Sequence, residues 1–119
     1  AKGVVWLSIN SSAPGKEGNY APAEFDKRLM SEGFAGTAAL LDPDGKAGRL
    51  YGAKTTPHIF VINAEGVLVY QGAIDDKPSA DAADIASARN YAAAALDEVL
   101  AGKPVSVQAT KSYGCSVKY

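Results

Sequence analysis

Cysteine is nearly missing from this chain: Cys115 is the single one among 119 residues. One cysteine forbids an intrachain disulfide, so cysteine usage does not mark the redox compartment. Histidine is as scarce, with His58 alone, and no Ser/His/Asp set is assigned around it. Neither sign of charge dominates. Twelve Lys and Arg against 13 Asp and Glu leave a net charge of -1, and no basic stripe exists to neutralise a row of phosphates, which argues against nucleic acid as a partner. Long hydrophobic runs are absent too. The longest, Tyr91 to Leu96, is mostly alanine and far short of the roughly 20 residues that span a bilayer, so no membrane partner is expected. No charged and then apolar leader opens the chain, yet its first residue is Ala rather than Met. An upstream piece removed by processing therefore stays open, and periplasmic export and a cytoplasmic location both remain compatible.

What is present reads as one α/β domain over residues 1–119. With 47% apolar residues, a chain of this size buries about two thirds of its unfolded surface. Gly3 to Ile9 (GVVWLSI) is a β-branched and aromatic run suited to a doubly covered strand. After a polar loop, Pro22 opens a helix with Phe25, Leu29 and Met30 on one face, stopped by Gly33. Ala38 to Leu41 is a second strand. The turn Asp42-Pro43-Asp44-Gly45 follows, with Asp44 expected to cap a short helix that runs through Tyr51 and stops at Gly52. Ile59 to Ile62 and Val67 to Tyr70, separated by Ala64-Glu65-Gly66, read as a β-hairpin. Asp75 to Asp84 reads as an exposed connection. Ile85, Ala88, Ala92, Leu96 and Val99 then make one apolar stripe on a long helix ending near Gly102-Lys103-Pro104, with Asp81 and Asp84 at its start and Lys103 at its end suiting the helix dipole. The tail, Val105 to Tyr119, alternates enough to allow an extended VSVQA segment.

Strand one ending in SIN, the LLDPDG turn, the block YGAKTTPHIFVINAEGVLVYQGAIDD and the closing LAGKPV with GCSVKY resemble the later two thirds of a redoxin domain. That family comprises thioredoxin-fold proteins related to alkyl hydroperoxide reductase and thiol-specific antioxidant. The resemblance implies a thioredoxin-like α/β fold, a mixed central sheet flanked by helices, in which the Thr56-Pro57 bond is cis. A proline at the first strand residue loses no ladder bond, and in such domains the main chain beside it pairs with an extended substrate at the thiol site. Thr55, Thr56, Pro57 and His58 are thereby the expected substrate-binding residues.

The family also carries, ahead of the segment that begins here, a central strand and a helix bearing the reactive cysteine, whose thiol a helix N-terminus acidifies. Neither is among these residues, and Ala1-Lys2-Gly3 reads like the end of that helix. By analogy the sheet order is Ala38–Leu41, Gly3–Ile9, an absent central strand, His58–Asn63, then Val67–Gly72. Three arrangements close the gap: strand one pairs directly with the Pro57 strand; the tail or a swapped neighbouring copy fills the slot; or an N-terminal portion supplies it. The last is favoured, because two bare strand edges in a core strand several backbone groups at about 1–3 kcal/mol each.

Each candidate has a plainer alternative. Cys115 reads as the catalytic candidate of the chain, whether nucleophile or resolving thiol, or else as a small tail residue. His58 could act as acid or base beside the absent thiol, but the first residue of a strand more often packs or hydrogen-bonds. Asp42, Asp44 and Gly45 echo a calcium loop without its later ligands, so the turn reading prevails and no metal is expected. Asp75 and Asp76 are adjacent in an extended segment, point to opposite sides, and read as solvated. Trp6 and Phe60 read as core. Two functions follow: a thiol-disulfide oxidoreductase or thiol peroxidase acting without a cofactor on a disulfide-containing protein or a peroxide, or a non-catalytic binding module holding an extended peptide at Thr56-Pro57.

Overall fold

A computed structural model describes residues 3–77 and 88–119. Ala1, Lys2, Pro78, Asp81, Asp84 and Ile85, on which some expectations fall, lie outside the described residues. The chain forms an α/β structure of two units, one running to Ala53 and taking in Val117–Tyr119, the other Lys54–Ser116.

In the first unit, β1 (Leu7–Asn10) pairs in parallel with β2 (Ala38–Leu41), Leu7 opposite Ala38 and Ile9 opposite Leu40. Strand one begins later than the apolar run predicts. Gly3 lies in a turn with φ +75, and the ladder register starts only at Leu7. Helix α1 (Pro22–Ser31) joins the two strands. Pro22 occupies its first turn, where a missing amide is harmless, and Glu24 meets Arg28 one turn on at 3.3 Å, worth a few tenths of a kcal/mol on an exposed face. The helix ends as Gly33 predicts: the Gly33 and Phe34 amides turn back onto the carbonyls of Met30 and Leu29, satisfying groups that a helix end leaves orphaned. Helix α2 (Lys46–Tyr51) stops at Gly52 in the same way.

No apolar side chain of this unit is fully buried among the described residues. Leu7, Ile9 and Leu40, on one face of the β1–β2 pair, are 51%, 44% and 45% exposed, and Trp6, expected in a core, is half-exposed. The apolar periodicity is real, but the described residues of this unit cover it only by about half.

The second unit holds the core. Strand β3 (Thr55–Thr56) precedes β4 (Ile59–Ile62), which pairs antiparallel with β5 (Leu68–Gly72), with a register irregularity after Val61. The hairpin is therefore as the sequence predicts. Its loop is set by a residue the sequence reading passed over. The Asn63 side chain accepts from the amides of Glu65 and Val67, an Asx arrangement that closes the turn locally.

Helix α3 (Tyr91–Leu100) is shorter than its stripe predicts. Ala88 and Arg89 are not helical, and Asn90 caps the helix by accepting from the Ala93 amide at 2.8 Å. Ala92 and Ala95 are buried, while Leu96 and Val99 pack on the cluster of Val61, Tyr70, Ala95 and Val105. Small residues let the helix approach the sheet. Tyr70 is fully buried with its hydroxyl on the Ala73 carbonyl and the Thr110 hydroxyl, so the polar end of the largest core side chain is satisfied.

The tail extends the sheet structure instead of trailing from it. Gln71 of β5 donates to the Gln108 carbonyl and accepts from the Thr110 amide, and β6 (Cys115–Ser116) pairs antiparallel with β3.

Candidate functional site

The residues around Pro57 occupy a sharp connection between two short strands. Thr55 donates its hydroxyl to the Pro57 carbonyl at 2.8 Å, and the Thr56-Pro57 peptide bond is cis, as the resemblance implies. His58 turns back toward the entrance of this loop. Its Nδ1 accepts from the Lys54 amide at 3.1 Å, and its ring stacks on Phe60 with centroids 4.6 Å apart. Burial, and then the Lys54 charge, holds the imidazole below its ordinary value of 6.5. The ring is therefore neutral at physiological pH, with Nε2 as its donor nitrogen. Packing and a hydrogen bond to the main chain are what the structure assigns to His58.

Opposite this loop stands Cys115. It pairs with Thr56 across the β3–β6 ladder, and Ser116 pairs with Thr55. Both tail residues are exposed, and Cys115 is a free thiol. The structure thus brings Cys115, distant in sequence, against Thr55, Thr56 and Pro57 at one small edge. Their meeting was not legible beforehand, because a two-residue pairing leaves no periodicity to read.

The close approach requires Gly114. A Cβ there would lie 2.3 Å from the Thr56 carbonyl oxygen and 3.5 Å from Pro57 Cδ, and Gly114 has φ +126. Just ahead of it, Tyr113 donates its hydroxyl to Asp75 Oδ1. That bond, followed by burial and the charges of Asp75 and Asp76, pushes the phenol up to about 12. Asp75 also accepts from the Lys77 amide, and Asp76 from the Arg89 amide at 2.7 Å. The two carboxylates are therefore engaged in holding loops rather than simply solvated, which corrects the sequence reading.

In the first unit the candidate turn resolves around Asp42. It accepts from the Ser11 hydroxyl at 2.6 Å and from the Ala47 and Gly48 amides at 3.1 and 2.9 Å. Asp42 thus carries the larger share of the capping expected of Asp44, whose carboxylate accepts from the Lys46 amide. Distance along the chain misled the sequence reading: the turn brings the earlier carboxylate over the open amides of α2. The Tyr119 hydroxyl donates to the Ala53 carbonyl at 2.7 Å, and its ring lies under the Arg49 guanidinium.

No protein-family model matches this chain, and no curated protein does. Among solved structures, it is similar to a hypothetical protein from Sinorhizobium meliloti 1021 at 28% identity and a TM-score of 0.80, over 99% of this chain and 63% of that one. It is similar also to an uncharacterized conserved protein from Geobacillus kaustophilus at 28% identity and a TM-score of 0.81, over 99% of this chain and 61% of the other. The chain thus spans about three fifths of the length of the solved structures it matches.

Proposed function

We propose that this chain is the later part of a thioredoxin-like redoxin domain, a thiol-disulfide oxidoreductase or thiol peroxidase whose nucleophilic cysteine lies on a strand and helix outside these 119 residues. The observation that carries the reading is the β3–β6 edge. The main chain of Thr55–Thr56, directly ahead of Pro57, accepts an extended segment, and the residue opposite Thr56 is a cysteine. Such an arrangement suits disulfide exchange, because in-line attack on a sulfur is helped when the strand that carries the sulfur is held in register.

Two further observations support an additional segment. The apolar face formed by Leu7, Ile9 and Leu40 is half-exposed, and covering the remaining surface would contribute about 1 kcal/mol per side chain. The solved structures it matches are also substantially longer.

The chemistry balances with one thiol from each part. The upstream thiolate attacks the peroxide O–O bond, forming a sulfenic acid and releasing water or alcohol. The Cys115 thiolate then attacks that sulfur, a disulfide forms, and the sulfenic oxygen leaves as water. An external dithiol restores both thiols by exchange. On a protein disulfide the same nucleophile would form a mixed disulfide, with the substrate strand occupying the Thr55–Thr56 edge.

The test is expression of the natural gene with any residues it encodes ahead of Ala1, assayed for cysteine-dependent reduction of hydrogen peroxide and of a protein disulfide. Turnover is expected there and not from the 119-residue chain. The Cys115→Ser variant should still form a trappable sulfenic acid but no disulfide. Turnover by the short chain, or by a longer one without an upstream cysteine, overturns the proposal. The second reading, a peptide-holding module without turnover, is favoured by the same edge, and it predicts peptide affinity with no activity in either chain.

A further inference from the structure

Cys115 is held in place by contacts that the chain makes just ahead of it. We infer that Tyr113 and Asp75 are positioning residues for this thiol: the bond between them, two residues before Cys115, keeps the sulfur opposite Thr56 and so sets how readily it meets a partner sulfur. The inference rests on reading Cys115 as the resolving thiol at the Thr55–Thr56 edge, and deepens that reading by naming what orients it.

The ladder itself is small. Two residues on each side form it, and Thr56, Cys115 and Ser116 are all exposed, so the pairing buries little apolar surface. Pairing of that kind opens at low free energy when nothing else restrains it. Restraint comes from the preceding residues. Thr110 donates its amide to the Gln71 carbonyl, and its hydroxyl accepts from the Ala73 amide at 2.9 Å and meets the hydroxyl of the fully buried Tyr70 at 2.6 Å. Three residues on, the Tyr113 hydroxyl latches onto Asp75 Oδ1. Gly114 then lies against the Thr56 carbonyl.

Asp75 is a firm anchor because it is itself fixed. Its Oδ1 also accepts from the Lys77 amide at 3.0 Å, its backbone forms an antiparallel bridge with Asn90, and Asn90 caps α3. A carboxylate is also a strong acceptor, since hydrogen bonds to an ionised group are roughly twice as strong as neutral ones. Cys115 is thereby tied to the start of α3 as well as to β5. A thiol on a free tail samples many directions, whereas one held in a single direction reacts at a higher effective concentration.

The experiment adds a reporter thiol to the full 119-residue chain by Thr56→Cys, the position that faces Cys115. Facing residues of an antiparallel pair have Cα atoms about 4.5 or 5.5 Å apart, inside the span of about 4.4–6.8 Å that a disulfide bridges. Oxidised glutathione converts the two protein thiols to a disulfide and leaves as two reduced glutathione molecules, so the equilibrium gives the effective concentration of the pair. Adding Tyr113→Phe should lower that concentration about tenfold. Asp75→Asn, whose side-chain oxygen still accepts from the phenol, should keep most of it. Asp42→Ala, a destabilising change far away in the chain, should leave it unchanged, which separates positioning from general stability. Failure of the Thr56→Cys thiol to pair with Cys115, equal values with and without the Tyr113 hydroxyl, or an equal loss in Asp42→Ala overturns the inference. Should Tyr113→Phe not fold, Asp75→Ala removes the same bond and is read the same way. This assay needs no upstream cysteine. An unchanged effective concentration alongside turnover by the longer natural gene product overturns the positioning role alone, and a latch effect without such turnover overturns the redox reading alone.

Discussion

Gly114 lies against the carbonyl of Thr56 so closely that the smallest side chain would overlap it. That one approach joins the tail to the entrance of β4 and places Cys115 beside Pro57. Four further predictions follow from contacts of the same kind.

Gly72 ends β5 with φ +141, and a Cβ there would lie 2.3 Å from Thr110 Oγ1 and 2.4 Å from the Thr110 carbonyl oxygen. Because one of those atoms is backbone, Gly72→Ala should destabilise the chain by about 2 kcal/mol or more. Urea unfolding measures it. An unchanged midpoint would mean that the tail does not hold this position in solution.

Burial alone would raise the Asp42 carboxyl, but the hydrogen bonds from Ser11, Gly48 and Ala47 outweigh it and hold the group below its ordinary 3.8. A folded value beneath the unfolded one means that the stabilisation is complete above about pH 4 and is lost as pH falls through the folded value. Asp42→Ala, which strands two amides of α2, should cost about 2 kcal/mol at neutral pH. The gap between variant and parent should close in acid, as followed by unfolding at a series of pH values.

For His58 the shift runs downward, from burial first and the Lys54 charge second. Well above 6.5 the ring is neutral in folded and unfolded chains alike, so it contributes no pH dependence there. As pH drops below 6.5 the unfolded chain takes up the proton more readily, and stability declines until the folded ring also protonates. An NMR titration should place His58 under 6.5, and Lys54→Gln should move it upward. A value at or above 6.5 in the parent would contradict the packing against Phe60.

Tyr113 provides a spectroscopic report on the tail. Its phenol, raised to about 12 chiefly by the bond to Asp75, supports the fold below pH 10 and loses that contribution as pH rises toward the folded value. With tyrosine labelled at Cζ, its resonance should titrate near that value and return toward 10 in Asp75→Asn. If Tyr113 ionises near 10 in the parent chain, the latch is absent.

The sequence by itself determined the local elements of this protein. Pro22 and the glycines after each helix marked where helices begin or end, the short loop Ala64-Glu65-Gly66 between two apolar runs marked the hairpin, and Thr-Thr-Pro marked the loop that became the candidate site. These are short-range effects, set by backbone freedom and by side chains a few residues apart. Tertiary structure decided the rest. That Cys115 faces Thr56, that Asp42 rather than Asp44 supplies most of the α2 cap, and that Trp6, Leu7 and Ile9 are exposed all depend on which distant segments meet. Pairing between segments so far apart rests on hydrogen bonds such as those of Gln71 with Gln108 and Thr110 and on glycines, Gly72 and Gly114, where the backbones come too close for a Cβ. No residue pattern along the chain encodes it until the fold has brought the partners together.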